Sequence, residues 1–546
     1  MSPESTSRLP PRELWPERTL EHASLRYGET LNLAEELLRP PLQSGGADRP
    51  AVISGSRRVT YRELQDLVDR VAAGLRGLGV EPGDRILLRM PNRLEFVASW
   101  LAVQQIGAAA VSTMPMLKAR ELAYVIDDCE PTLAVVASSL LPEFERAAER
   151  VSARPNVVTV GDPTPACSSG PSFDALVAES SGEHEAYPTP RDALALIAYT
   201  SGSTGVPKGA CHSPVDVLAS ADTYGRRVLT PSPTDVFGGH PTLAFTFGLG
   251  GLLVFPLRAG SATVLLERFT PEAMLEQVAS ERISILFCAA TTYKLFLQIP
   301  DLERRHDLGS LRLCVSAGEP LPRPVYDEWV ARTGVEALDS LGTTEMFHVF
   351  ICQQVGRIRP GATGLPVPGY EARIVDDRLK ELPRGTPGLL AVKGPTGCRY
   401  WAKPDRQRDY VRNGWNIPND ICVQDEDGYF WYKCRNDDLI ICAGYNIAGP
   451  EVEGVLLEHD AVLEVAVVAS PDAVKGSVPK AFVVLKPGID PSDRLVVELK
   501  DLVKRQLAPY KYPRKVEFVD ALPKTETGKI RRVELRARER AAASGD

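Results

Sequence analysis

The stretch TYRELQDLVDRVAAGLRGLGVEPGDRILLRM, Thr60 to Met90, decides the fold. Tyr61, Leu64, Leu67, Val68, Val71, Ala72 and Leu75 recur at the spacing of one helix face. Gly79 and Pro82-Gly83 stop that pattern before Arg85-Ile86-Leu87-Leu88, a short apolar run of strand type. Downstream the alternation repeats: helix-type Leu94–Ile106, strand-type Gly107–Val111, helix-type Ala119–Cys129 and strand-type Leu133–Val136. Helices alternating with short apolar strands predict parallel sheets covered by helices, an α/β fold. Gly161–Pro190, rich in Pro, Ser and Glu, reads as a surface connection.

A chain of 546 residues exceeds what one hydrophobic core usually serves. After residue 430 the texture changes to strand Asp438–Cys442, helix Glu451–Glu458, strands Val462–Ala469 and Lys480–Leu485, and helix Asp493–Gln506. This reads as a compact α+β unit. The boundary falls near Asn436, giving a large N-terminal domain, 1–436, and a small C-terminal domain, 437–546. The charges Arg531-Arg532 and Arg536–Arg540 read as a solvated helix face.

Hydrophobic residues at 44% and charged residues at 25% exclude wholesale disorder and disulfide scaffolds. A net charge of -8 has the wrong sign for a chain whose main partner is a phosphate backbone, so nucleic acid is not an expected partner. Ten cysteines without a C-x-x-C pair fit reduced thiols in a cytoplasm. Met1–Arg18 lacks the apolar segment of a secretory signal, and Leu243–Leu257 is glycine-interrupted and shorter than the ~20 residues that span a bilayer.

Thr200-Ser201-Gly202-Ser203-Thr204-Gly205-Val206-Pro207-Lys208-Gly209 follows the apolar strand Leu194–Tyr199. Glycines let backbone N–H groups approach phosphate oxygens, the hydroxyls donate further bonds, and Lys208 adds positive charge. The Walker pattern is not met, since Pro207 replaces its second glycine and Gly209 its magnesium-ligating hydroxyl. A flexible Gly/Ser linker would need neither Pro207 nor Lys208.

This loop resembles the signature of the adenylate-forming superfamily of acyl-CoA synthetases, carrier-loading adenylation domains and luciferases. Further matches stand in the superfamily's order. Ser316-Ala317-Gly318-Glu319-Pro320 resembles the adenine-binding turn, and Leu341-Gly342-Thr343-Thr344-Glu345, after Asp339-Ser340, resembles Y-G-x-T-E with Leu341 in place of Tyr. The resemblance implies that Thr344 contacts the α-phosphate and Glu345 holds Mg²⁺. Asp420 corresponds to the T-G-D aspartate on the ribose, with Pro418-Asn419 replacing Thr-Gly; Tyr432 and Arg435 follow, with Cys434 where the family has Gly. Asp437 matches the hinge position, though the residues alone fit a surface turn equally well. Ala443-Gly444-Tyr445-Asn446-Ile447 resembles S-G-Y-R-I, which implies that Gly444 and Tyr445 line a thiol tunnel. Pro523-Lys524-Thr525-Glu526-Thr527-Gly528-Lys529 matches P-K-T-x-T-G-K, making Lys529 the catalytic lysine.

The implied activity is ATP-dependent adenylation of a carboxylic acid followed by transfer to a thiol, with ATP, Mg²⁺ and coenzyme A, by a monomer or homodimer. Thr242–Gly251 lies at the acyl-pocket position ahead of an apolar strand; Ala244-Phe245-Thr246 lacks the Asp that holds an α-amino group. Phe245 and Phe247 suit an aryl ring, or one of them is simply core. Thr344–Phe350 is similar to the T-E-M-x-H-x-F run of benzoate-CoA ligases. F-T-F-G-L-G-G with A-G-Y-N-I-A-G-P-E-V-E looks like the 2-aminobenzoate (anthranilate) branch. His348 is then a pocket residue beside Gly342, or a satisfied core histidine. A separate acyl carrier protein is the alternative acceptor; a medium-chain fatty acid fits less well. A non-catalytic nucleotide-binding protein would not need intact Lys208, Glu345, Asp420, Arg435 and Lys529.

Overall fold

The computed structural model describes residues 8–21, 25–161, 170–180, 182, 184–200, 207–442, 445–472, 475–508, 510–524 and 530–544. The Thr60 stretch folds as its pattern demands. Helix Tyr61–Gly77 starts on a capping box in which Thr60 and Glu63 satisfy each other's backbone N–H groups. It buries Tyr61, Leu64, Val68, Val71, Ala72 and Leu75, with Leu67 half-buried. Gly79 and Gly83, at φ +88° and +89°, then turn the chain into strand Arg85–Arg89.

Two largely parallel sheets carry the N-terminal body. One runs in the order 156–160, 133–137, 85–89, 109–112, 196–200 and 208–212, the last strand antiparallel. The other runs 365–366, 349–352, 337–342, 313–317, 285–288, 236–239, 262–265, 50–54 and 57–60, antiparallel at both ends. Helix Leu94–Ile106 touches strands of both sheets, and every one of its residues is buried. That explains why its sequence is apolar all round instead of striped.

A third sheet, built from strands 371–375, 388–393, 411–412, 415–416, 420–424 and 430–435, is antiparallel throughout. The helix–strand alternation of residues 60–136 gave no sign of it. A fourth sheet holds strands 439–442, 445–448, 462–472, 476–485 and 515–518. It packs under helices Gly449–Leu456 and Asp493–Gln506 around a core of its own.

Three expectations are corrected. Gly161–Pro190 is more than a surface connection, because helix Phe173–Glu179 within it buries Phe173 and Leu176. The segment after Thr242 leads into a helix, not a strand: Thr246–Leu249 continues through a π-helical turn, Gly250–Val254, into Phe255–Ala259. A short apolar run has no periodicity that separates buried strand from buried helix. The arginines near the C-terminus are not all solvated: Arg532 pairs with Glu453 at 2.6 Å and Arg536 with Asp438. No helix among the described residues is long and apolar enough to cross a membrane.

Candidate functional site

Strands Leu196–Thr200 and Lys208–His212 form a hairpin in which Thr200 faces Lys208. Ser201, Gly202, Ser203, Thr204 and Gly205 lie outside the described residues. Strand alternation puts Lys208, Ala210 and His212 on one face. The His212 Nε2 is 2.7 Å from the carbonyl oxygen of Thr344. Burial pulls the His212 pKa down to about 4, so the ring is neutral and donates its Nε2–H to that carbonyl. Thr344–Met346 is a single 3₁₀ turn, and Phe347 leaves it at φ +68°, a strained angle for an L-residue. The Phe347 ring stands edge-on to His212 at 5.4 Å, so packing holds the strained turn in place.

Glu345 is reached from a direction the sequence did not indicate. The Tyr400 hydroxyl donates to Glu345 Oε1 at 2.8 Å, and the Lys208 ammonium lies 5.8 Å from the Tyr400 ring centroid. Beneath the hairpin, fully buried Asp216 accepts from Arg18 at 2.9 Å and Arg399 at 3.0 Å. Burial pushes the Asp216 carboxyl up, but the two guanidiniums more than offset this and hold it below its ordinary value.

Gly318 turns at φ +92° beyond strand Leu313–Ala317, beside Glu319 and exposed Pro320. The Glu319 carboxylate accepts from the Thr291 N–H at 2.6 Å and from its hydroxyl. Asp339 is buried, which raises its pKa to about 8 against the backbone N–H groups of Leu321 and Ser340. Ser340 turns its hydroxyl inward, 3.3 Å from Tyr224 Oη, while Leu341 packs half-buried on the core. Asp420 is 2% exposed, and its Oδ1 lies 3.3 Å from Arg435 Nη1. Tyr432 stands with them, its N–H on Thr363 Oγ1 at 3.0 Å and its phenol raised by burial and by Asp420. Asn419 occupies φ +65°, a backbone that asparagine tolerates better than most residues, so it can replace glycine there. Cys434 is wholly buried in a small core with Ile421 and Leu389.

His348, three residues after Glu345, faces apolar surroundings. It is 3% exposed, and its ring lies 4.6 Å from Phe255, 5.4 Å from Tyr224 and 5.5 Å from Phe247. Nε2 is 3.3 Å from the Phe247 carbonyl, and among the described residues the buried Nδ1 has no hydrogen-bond partner, so the hydrogen bonding of this ring is only half satisfied there. Burial takes its pKa down to about 3. A Cβ on Gly250 would lie 2.4 Å from His348 Cδ2, and one on Gly342 would lie 2.4 Å from the His348 carbonyl oxygen. Phe247 packs on both His348 and Phe287. Phe245 is half-buried outside that ring cluster, and Thr246 faces a small internal cavity with Trp100 and Ala198.

Lys529 and Gly444 lie outside the described residues. Lys524 and Ile530 form an isolated antiparallel bridge. Asp437 sits in the 3₁₀ turn Asn436–Asp438, and Tyr445 opens strand Tyr445–Ala448. Among the described residues no cluster of three metal-ligating side chains exists.

His212, Tyr400, Tyr224, Phe255 and Phe287 were missed in the sequence. Only His212 left a legible signal, two alternations beyond Lys208 on one strand. The others reach the site through long-range packing.

The family described as AMP-binding enzyme matches residues 43–401, and the one described as AMP-binding enzyme C-terminal domain matches residues 451–529. A benzoate–CoA ligase of Thauera aromatica is 37% identical over 518 residues, covering 94% of this chain and 97% of that protein. The solved anthranilate CoA ligase AuaEII in complex with anthranoyl-AMP has a TM-score of 0.91 at 34% identity, covering 96% of this chain and all of that one. A benzoate CoA ligase from Burkholderia xenovorans LB400 has a TM-score of 0.85 at 34% identity, covering 92% of this chain and 99% of that one.

Proposed function

The chain belongs to the AMP-binding enzyme family, and from that premise we propose that it is an aryl-CoA ligase whose preferred acid is 2-aminobenzoate. The observation that carries the choice of acid is the ring cluster around His348. Phe247, Phe255 and Tyr224 offer faces and edges to an aryl group, and the Nδ1 of a neutral imidazole, without a partner among the described residues, offers an acceptor to an ortho amine. The relatives whose names specify benzoate and anthranilate support the same class.

In the first step the acid's carboxylate attacks the α-phosphorus of ATP, the bond to the bridging oxygen breaks, and pyrophosphate leaves. Thr344 is assigned to the α-phosphate, Lys208 and residues 200–205 to the other phosphates, and Asp420 with Arg435 to the ribose. Gly318–Pro320 and Asp339–Leu341 are assigned to the adenine. Glu345 suits magnesium: its Oε1 is held by Tyr400, and Oε2 takes no hydrogen bond among the described residues. Magnesium takes one or two carboxylates together with phosphate oxygens and water. When bound, it would neutralise charge on the phosphate oxygens. The Lys529 ammonium would sit against the same charge.

In the second step the coenzyme A thiolate attacks the acyl carbon and AMP leaves. We assign residues 437–546 to a domain that rotates about Asp437 between the steps, taking Lys529 away and bringing Gly444 and Tyr445 to the thiol. The nine described cysteines are all unpaired and buried, which supports a reducing compartment, the cytoplasm.

The test is ATP–pyrophosphate exchange over benzoate, 2-aminobenzoate, hydroxybenzoates, phenylacetate, octanoate and amino acids, with coenzyme A consumption followed in parallel. Exchange led by 2-aminobenzoate with thioester formed supports the proposal. Exchange without coenzyme A use would redirect it to a carrier protein, and an octanoate preference would overturn the aryl pocket.

A further inference from the structure

Tyr400 joins the two charged groups assigned to the phosphate side, Glu345 and Lys208. It is 2% exposed. Its hydroxyl donates to Glu345 Oε1 at 2.8 Å, and its ring lies 5.8 Å from the Lys208 ammonium. Tyr410 stands edge-on to it at 5.7 Å, with its own hydroxyl 3.3 Å from Thr343 Oγ1. The backbone is pinned as well: the Tyr400 N–H donates to Gln407 Oε1 at 2.8 Å, and Gln407 Nε2 donates back to the Cys398 carbonyl at 2.8 Å.

We propose that Tyr400 is a positioning residue of the adenylation site: it holds one oxygen of Glu345 and presents its ring to Lys208, fixing the carboxylate relative to the lysine. This rests on the reading of Glu345 as the magnesium ligand. A carboxylate already held on one oxygen gives up little rotamer freedom when its other oxygen meets a cation. Removing a hydrogen-bond partner of a metal ligand typically costs about 10- to 100-fold in metal affinity.

Tyr400→Phe keeps the ring beside Lys208 and deletes the hydroxyl; Tyr400→Leu deletes both. The readouts are calorimetric titration of magnesium into full-length protein with ATP, without acid or coenzyme A, and the magnesium dependence of pyrophosphate exchange. Tyr400→Phe is expected to need on the order of tenfold more magnesium for half-saturation, with KM for the acid and melting temperature unchanged. Tyr400→Leu is expected to weaken ATP binding in addition. In a Glu345→Gln background Tyr400→Phe should add nothing, because the two act through one contact. Unchanged magnesium dependence in Tyr400→Phe, or a uniform fall in melting temperature and every kinetic constant, overturns the proposal. If Glu345→Gln itself leaves magnesium dependence unchanged, the assignment of Glu345 fails first, and the two failures are thereby told apart.

Discussion

Glu345 and His348 stand three residues apart, yet they face opposite kinds of chemistry. Around Glu345 the side chains are charged or hydroxylated, half-open, and tied by directed hydrogen bonds from Tyr400 and, through the Thr344 carbonyl, from His212. Around His348 they are aromatic and closed, and the imidazole is so desolvated that it cannot hold a proton at neutral pH. One strained residue, Phe347 at φ +68°, turns the chain between the two. A reaction that joins a charged nucleotide to an apolar ring needs both environments within a few ångströms. A turn at a strand end supplies them with the fewest intervening residues.

If the division is real, substitutions in the polar region should disturb ATP terms and those in the apolar region acid terms. The largest effect is expected for Lys529→Ala, the group assigned to complete the polar region. Pyrophosphate exchange should fall by ~10²–10³, while thioester formation from chemically supplied aryl-AMP persists; equal loss of both steps would contradict a lysine used in one half-reaction only.

Next comes acid stability. His348 and His212 have folded pKa values of about 3 and about 4 against an ordinary 6.5. The unfolded chain therefore binds more protons in that interval, and stability is full above about pH 6.5 and lost as pH falls from there through the folded values. The loss should approach roughly 5 kcal/mol for His348 and roughly 3 kcal/mol for His212. His348→Leu should flatten the urea-measured pH slope and erase discrimination between 2-aminobenzoate and benzoate, while KM for ATP holds.

Asp420→Asn should weaken ATP binding by about 1.5–3 kcal/mol, read by calorimetry, with KM for the acid unchanged. The smallest effect is assigned to Gly250→Ala, whose Cβ would press on the imidazole at 2.4 Å. Denaturant unfolding should report a loss of ~1–3 kcal/mol, and KM for the acid should rise while KM for ATP does not. A rise in both would mean that the regions are not separable.

The sequence by itself determined the helix–strand alternation of residues 60–136, the bounds of helices such as Leu94–Ile106 and Asp493–Gln506, and the ordered motifs from Thr200 to Lys529. These rest on local causes: side-chain periodicity, capping and glycine turns act within a few residues and leave their mark there. It did not disclose the antiparallel sheet of residues 371–435, the helical course of Thr246–Ala259, or the arrival of Tyr400 at Glu345, 55 residues distant. Only the tertiary structure decided these, because a buried run carries no periodicity of its own, and a hydrogen bond between distant segments has no local signature. Phe245 and Phe247 make the point at smallest scale. They are alike in sequence and two residues apart, yet of the two only Phe247, inside the helix that Phe245 caps, meets His348.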